Sequence, residues 1–439
     1  MRQLEEAYQQ ASAGHGQVIL VSGEPGIGKT RLLEAFITRL QNRALILKGA
    51  GRPGSQTLPF QPIVEALRSI LDFGLRIADR KSKIRNPKSE ISPVWLSEVT
   101  RLLPELRTRY PDLPPPLPAE SEEARTRLFE ALCQLALGLA AGPLPVLLCL
   151  DDLHWADPTT LEWLAYLGGR LQGRRLLVLA TFLDEEADTL SKLRQALGRS
   201  GALAECKLTG LDTTEVLRLL NGLLGPALSR AKGQQRGNAC DRPLLAERLQ
   251  SVTGGNPFFL LETVRLLAEV GRISEKSERL ADLPLPDTVR AAVHARLARL
   301  SGRARQVLEA AAVLGSSFGF DLVCLTAGRG EMETLDSLEA LVAKHLLVEC
   351  DGAYQFHHEF TMTAVYGALG YWRRRLLHRR AGEALEKLHP DDTASLAWHF
   401  ERGEQPAKAA RYALQAGNNA SRVFAYAEAG AFFARALRL

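Results

Sequence analysis

Residues 18–30 read Val18-Ile19-Leu20-Val21-Ser22-Gly23-Glu24-Pro25-Gly26-Ile27-Gly28-Lys29-Thr30. The apolar run predicts a buried strand, and the glycine-spaced turn after it predicts a loop that cradles phosphate. Gly23, Gly26 and Gly28 can take up φ > 0 and bring backbone N–H groups close to phosphate oxygens, with Glu24, Pro25 and Ile27 completing the loop. Lys29 places a point charge on the β- and γ-phosphates, and the Thr30 hydroxyl can ligate Mg²⁺. A helix from Arg31 to Leu40 would point its N-terminus at the anion. The competing reading is a glycine-rich strand–helix turn that holds no ligand.

A second segment, Val146-Leu147-Leu148-Cys149-Leu150-Asp151-Asp152, is an apolar strand ending in two carboxylates. With the upstream loop it predicts a P-loop NTPase with a Walker B strand. Asp151 would hold Mg²⁺, and Asp152 would orient an attacking water. An Asp stands where a Glu, one methylene longer, is commoner. The alternative is that both carboxylates merely cap the next helix. His154 either touches the phosphate site or pairs with Asp157, and Trp155 reads as a packing residue.

The chain has 439 residues, 46% of them hydrophobic, and a formal net charge of +5. That length predicts two to four globular domains. The small net charge argues against a dedicated nucleic-acid coat and gives no steer toward membranes. Six cysteines, at 133, 149, 206, 240, 324 and 350, are scattered without a CxxC pair. They read as buried thiols of a reducing cytosol, not as a disulfide framework or zinc site. The polar amphipathic start argues against a signal peptide, and the apolar run 132–150 is broken by Gly142, Pro143 and Pro145, so a cytoplasmic location is expected.

Strands at 17–22, 44–48, 146–150 and 176–181 alternate with helices at 1–13, 31–40, 62–71, 121–140 and 159–171. This alternation predicts a mainly parallel α/β sheet. Residues 75–119 are expected to be an insertion with one short helix, 95–103, stopped by Pro104, and mobile flanks. They carry a basic run at 76–88 and the prolines 111, 114, 115, 116 and 118. The basic run reads as a solvated loop or, less favoured, as a phosphate or partner site. The P-loop domain is placed at 1–208 and a helical small domain at 209–283. A winged-helix domain at 284–358 ends in a hairpin turned by Asp351-Gly352. Alanine-rich helices of tetratricopeptide type fill 359–439, where the repeats are expected to be incomplete.

The stretch Leu150-Asp151-Asp152-Leu153-His154-Trp155-Ala156-Asp157, taken with Gly23–Thr30, resembles the signal-transduction ATPases with numerous domains, the STAND class. The closest flavour is the AAA-type ATPase module of bacterial LuxR-type transcriptional activators and of some cyclases and kinases. Thr253-Gly254-Gly255-Asn256-Pro257-Phe258 is similar to that family's small-domain segment, whose proline packs near base and sugar. Leu285–Val289, Arg296–Ser301 and Ala311–Gly315 are similar to its winged helix. His358-Glu359 is similar to the His-Asp pair whose histidine contacts the ADP β-phosphate, with His357 a second candidate. The resemblance implies an α/β P-loop NTPase of ASCE type, followed by a helical small domain, winged helix and the start of a repeat arm. It implies ATP/ADP with Mg²⁺ as cofactors, and Gly23, Glu24, Pro25, Gly26, Ile27, Gly28, Lys29, Thr30, Arg31, Pro257 and His358 at the nucleotide. Asp152 and Lys29 would carry any hydrolysis, and Thr30 and Asp151 the metal.

Two departures stand out. Leu183 occupies the place where these ATPases usually carry an arginine that senses the γ-phosphate, so hydrolysis is expected to be slow at most. The Gly-Arg-Glu box that usually precedes the opening helix is absent, and both ends look cut. The favoured expectation is a nucleotide-controlled regulatory switch that self-associates and receives an inducer or protein partner on its helical repeats. A pseudo-ATPase scaffold is the alternative. An origin-recognition-like DNA-binding ATPase is disfavoured, because the helix at 331–345 carries Glu331, Glu333, Asp336 and Glu339 against Lys344. No direct nucleic-acid or membrane partner is expected from these residues.

Overall fold

A computed structural model of the chain describes residues 1–52, 59–78, 92–118, 122–224, 241–269, 297–298, 300–350, 352–357 and 359–439. These form two compact units. One comprises residues 1–22, 29–207 and 385–439; the other comprises 23–28 and 208–384.

In chain order the first unit begins with α1 (Arg2–Ser12), β1 (Gln17–Gly23, whose last residue belongs to the other unit), α2 (Lys29–Leu40), β2 (Leu45–Ala50) and α3 (Gln61–Ala78). It continues through α4 (Pro93–Val99), α5 (Glu105–Arg109), α6 (Glu122–Ala140), β3 (Val146–Asp151), α7 (Pro158–Gly168), β4 (Leu176–Leu183), α8 (Ser191–Arg199) and β5 (Leu203–Lys207). The five strands form one sheet in the order β2-β3-β4-β1-β5. β2 pairs with β3, β3 with β4 and β1 with β5, all in parallel. β3 is buried at every position, as its unbroken apolar run requires of a strand covered on both faces. β4 lies between the strand that leads into the glycine loop and the strand that carries the two carboxylates.

Among its described residues 92–118, the insertion is more ordered than its composition predicts. α4 stops at Val99, a second short helix follows Pro104, and the proline stretch is tied down. Ser97 Oγ donates to the Pro114 carbonyl at 2.5 Å, and the buried Glu98 carboxylate accepts the Leu117 N–H at 3.0 Å. Arg101 bonds both Glu98 and the Leu117 carbonyl. The expectation of mobile flanks therefore fails for residues 104–118, because side chains of α4 satisfy the polar backbone of an otherwise extended segment. The basic run lies outside the described residues from 79 to 88.

In the second unit, α9 (Thr213–Leu224), α10 (Asp241–Thr253) and α11 (Pro257–Glu269) share a small apolar core around Val216, Leu220, Leu245, Leu249 and Leu260. Next come α12 (Gly302–Leu314), β6 (Ser317–Gly319), α13 (Phe320–Ala327), α14 (Glu331–Ala343), β7 (Leu347–Cys350), β8 (Ala353–Phe356) and α15 (Glu359–Gly367). β6, β8 and β7 make an antiparallel sheet in that order, and Cys350 pairs with Ala353 across the expected two-residue turn. Asp351 and, apart from residues 297, 298 and 300, the part of the expected winged-helix domain from 284 to 300 lie outside the described residues.

α16 (Tyr371–Leu388) runs from the second unit into the first, which closes with α17 (Thr393–Arg402), α18 (Pro406–Arg422) and α19 (Tyr426–Arg438). The alanine spacing buries Ala409, Ala413, Ala416 and Ala420 along one face of α18. At Gly417 a Cβ would stand 2.5 Å from the Phe433 ring, so the two helices approach at glycine. Among the described residues the cysteines are free thiols, Cys240 lies outside them, and no helix is long and apolar enough to cross a membrane.

β2 and α3 also meet at a glycine. A Cβ on Gly49 would stand 1.9 Å from the Pro62 carbonyl oxygen. Gly49→Ala should lower stability by about 1–3 kcal/mol, read as a drop in denaturant midpoint, because neither backbone can rotate away. Gly198→Ala, where a Cβ meets nothing within 4 Å in α8, should be neutral or gain about 0.5–1 kcal/mol.

Candidate functional site

β1 ends at Gly23, and α2 starts at Lys29. In the intervening loop Gly26 and Gly28 have φ of +80° and +102°, as a phosphate-cradling turn requires. Gly23 does not have a positive φ, contrary to expectation; it is still a strand residue, and glycine is needed there for space. A Cβ on Gly23 would stand 2.8 Å from Ile27 Cγ2 and 3.2 Å from the Leu208 carbonyl oxygen.

The same loop is gripped by the start of α11. Asn256 Nδ2 donates to the Pro25 carbonyl at 2.9 Å, and the Phe258 N–H donates to the Gly26 carbonyl at 3.3 Å. Asn256 Oδ1 also accepts the Phe258 N–H at 3.1 Å. A Cβ on Gly26 would stand 2.8 Å from Phe258 Cβ. Pro257, the residue singled out from sequence, is the first residue of α11; its neighbours on both sides make the contacts with the loop.

Within the first unit, Lys29 is buried and Thr30 and Arg31 are exposed on the first turn of α2, where Arg31 pairs with Glu34 at 3.7 Å. Asp151 is buried at the end of β3, and its Oδ1 accepts the Thr181 hydroxyl. The same Thr181 oxygen accepts the Asp152 N–H at 2.9 Å. Asp152 has left-handed backbone angles (φ 52°, ψ 50°), uncommon for a residue other than glycine. Its side chain caps no helix; α7 is capped by Asp157, which accepts the Thr160 N–H at 2.9 Å and the Phe60 N–H at 3.0 Å. Burial pushes the Asp157 carboxyl up to about 7 against its hydrogen bonds from Thr160, and the nearby Glu428 carboxylate adds to the rise.

His154 is buried beside Trp155, with ring centroids 5.2 Å apart. Burial first, and then the Lys29 charge, depress it to about 4, so the imidazole is neutral at pH 7. Its two readings are thereby separated: its electrostatic neighbour is the loop lysine, and Asp157 is occupied in capping α7.

After Leu183, the last residue of β4, the chain presents Asp184. Burial raises its pKa, but hydrogen bonds from Ser22 and Lys207, with the charges of Lys207 and Lys29, outweigh this and hold the carboxyl below its usual range. The Ser22–Asp184 bond also shows that β1 and β4 end at the same edge of the sheet. The residue immediately after the position where an arginine was expected is therefore an anion, paired with Lys207 at 3.1 Å.

His357 donates its N–H to the Leu346 carbonyl at 3.0 Å. Its ring lies 6.5 Å from that of His345, and burial followed by the Arg265 charge lowers its pKa. His358 lies outside the described residues. Among those described, no group of three or more acidic, histidine or cysteine side chains gathers as a metal cage. Mg²⁺ held with phosphate needs only one or two carboxylates, so this does not bear on the Mg²⁺ site expected at Thr30 and Asp151.

Sequence reasoning passed over Thr181, Asp184 and Ser22, and named Asn256 only within the segment around Pro257. Strand register holds the missing signal for the first of these: Leu150 pairs with Ala180, which sets Thr181 beside Asp151.

Residues 1–179 match the family model of the AAA ATPase domain. An uncharacterized protein of Rhizobium meliloti (strain 1021) is 25% identical over 450 residues, covering 97% of this chain and 41% of that protein. The chain thus spans about two-fifths of the length of this curated relative. A solved STAND protein with a tetratricopeptide repeat sensor from Pyrococcus horikoshii is similar over 98% of this chain and 56% of its own, with a TM-score of 0.50 at 13% identity. The ORC2 protein of Aeropyrum pernix is similar over 83% of this chain and 91% of its own, with a TM-score of 0.39 at 14% identity. The first of these structural likenesses supports a P-loop NTPase-like fold.

Thr181→Val keeps the side-chain shape and removes both hydrogen bonds. It should cost about 1–3 kcal/mol in urea unfolding, because Asp151 and the Asp152 N–H lose a buried partner. The His154 ring should titrate near 4 by NMR and move upward, short of 6.5, in Lys29→Met. The sign follows: a depressed folded pKa makes this residue's contribution to stability full above about 6.5, lost as pH falls toward 4.

Proposed function

We propose that the chain is the ATP/ADP-binding regulatory module of a STAND-type switch. The observation that carries this reading is the loop Gly23–Gly28, with two glycines in the left-handed region, running into a buried Lys29. Asp151 is held by Thr181 in the same unit as that lysine. These residues suit a nucleotide with Mg²⁺: the loop N–H groups and Lys29 for the phosphates, Thr30 and Asp151 for the metal. Bound Mg²⁺ would supply charge neutralisation on the phosphates. His358 is carried for the ADP β-phosphate by the resemblance alone. The helix–strand–helix–helix–strand–strand order of 302–356 supports the winged-helix reading, and the stacked α17, α18 and α19 support the start of a tetratricopeptide arm. Control of transcription or of a linked effector through nucleotide-dependent self-association follows from the resemblance.

One observation keeps a second reading, the nucleotide-binding scaffold, in play. Leu183 and then Asp184 stand where γ-phosphate charge would need a cation. The switch reading therefore includes slow turnover, with Asp152 as the group that orients water. Lys29→Ala should abolish binding of a fluorescent ADP analogue, a loss of at least about 100-fold, of the size expected when a buried charge-assisted contact is removed. In single-turnover ATP hydrolysis the wild type should react slowly, and Asp152→Asn at least about tenfold more slowly. No turnover, together with the same oligomeric state in ADP and in a non-hydrolysable ATP analogue, would instead favour the scaffold.

A further inference from the structure

The first turn of α7 leaves backbone N–H groups without helical partners. Asp157 takes the one on Thr160. The next donor toward the N-terminus, on Thr159, is taken by a side chain 269 residues away: Glu428 of α19 accepts the Thr159 N–H at 3.2 Å, and its two carboxylate oxygens lie 3.1 and 3.0 Å from the Thr159 hydroxyl. Glu428 is 3% exposed. Two buried carboxylates, one local and one from the far end of the chain, therefore cap the same helix.

The α18–α19 junction has a second anchor. Phe424 is 1% exposed within the core of the α/β sheet unit, and the Arg101 guanidinium lies 5.2 Å over its ring. Its φ of 61° is strained for a bulky side chain, so docking holds the turn in that form. Only one short 3₁₀ turn, Leu153–Trp155, separates the start of α7 from Asp152. The start of α7 is thus joined by that turn to the segment that carries Asp151, Asp152 and His154.

We propose that Glu428 is a positioning residue of the nucleotide site: by capping α7 it lets the helical arm, from α18 through α19, set nucleotide affinity. This rests on the nucleotide reading of the site. While the cap is made, the segment 151–157 is held in its strained turn. When the arm is drawn off, Glu428 and the Thr159 N–H both find water, so the contact is exchangeable. By linkage, whatever the nucleotide does to this segment it also does to arm docking.

The test uses the full chain and a fluescent mant-ADP probe in stopped flow, with hydrogen exchange reporting the Thr159 amide. Glu428→Ala should speed mant-ADP release about tenfold, within the usual range of coupling between sites, and deprotect Thr159. Glu428→Gln, which keeps one acceptor oxygen, should give a smaller change in the same direction and serves if the alanine variant does not fold. Leu193→Ala, in the core under α8, controls for general destabilisation and should leave release within about twofold. An unchanged release rate in a folded Glu428 variant with a deprotected Thr159 would overturn the proposal while leaving the nucleotide reading intact. Equal acceleration in Leu193→Ala would overturn it as a global effect. Failure of the wild type to bind mant-ADP would instead remove the nucleotide reading, and this proposal with it.

Discussion

A buried cation sets the terms for the edge of the sheet. Lys29 is 7% exposed, and an ammonium taken out of water must be balanced or surrender its proton. The Asp184 carboxylate, held ionised by Ser22 and bridged to Lys207 at 3.1 Å, adds a favourable charge, and the imidazole of His154 stays neutral. A charged histidine here would repel the lysine, and a neutral residue at 184 would leave it less balanced. On the nucleotide reading, the anion just past β4 would disfavour rapid γ-phosphate chemistry. Retention of a phosphate and slow turnover would, on that reading, have one electrostatic origin.

Asp152, which follows the buried Asp151, is one of six described non-glycine residues with positive φ. Asp152 sits in the left-handed region, which costs an L-residue roughly 1–2 kcal/mol. Thr181 offsets that cost by accepting the Asp152 N–H while donating to Asp151. Gly51 gives the turn room: a Cβ there would stand 2.4 Å from the Asp152 carbonyl oxygen. One hydroxyl and one missing methyl thus decide where both carboxylates of the motif point.

Those devices explain what could be read from the chain and what could not. β3 and β4 were legible because strands buried on both faces need uninterrupted apolar runs. The glycine loop and Asp151 were legible because their chemistry demands fixed spacing. β5, an edge strand with the alternating polar residues Glu205 and Lys207, carried too weak a pattern, and the three-residue β6 carried none. Thr181 escaped because its role depends on register between strands, and Asp184 because its importance lies in which cation it meets. The order of residues 104–118 escaped for the opposite reason: a proline-rich composition hides Ser97, Glu98 and Arg101, which bind its backbone groups.

The grip of α11 on the glycine loop follows from peptide planarity. A trans peptide directs its N–H opposite its C=O. With the Pro25 carbonyl committed to Asn256, the Gly26 N–H must point to the other side of the loop. The next plane is fixed at both ends, its Gly26 carbonyl accepting from Phe258 and its Ile27 N–H donating to Glu24 at 3.3 Å. The segment Asn256-Pro257-Phe258 therefore determines which loop donor is presented, and Pro257 contributes by starting the helix that carries its neighbours. On the nucleotide reading, an anion that favours this orientation also favours the Asn256 contact, and by reciprocity loosening α11 weakens the anion. On that reading, control of the phosphate would arise from residues that need not touch it.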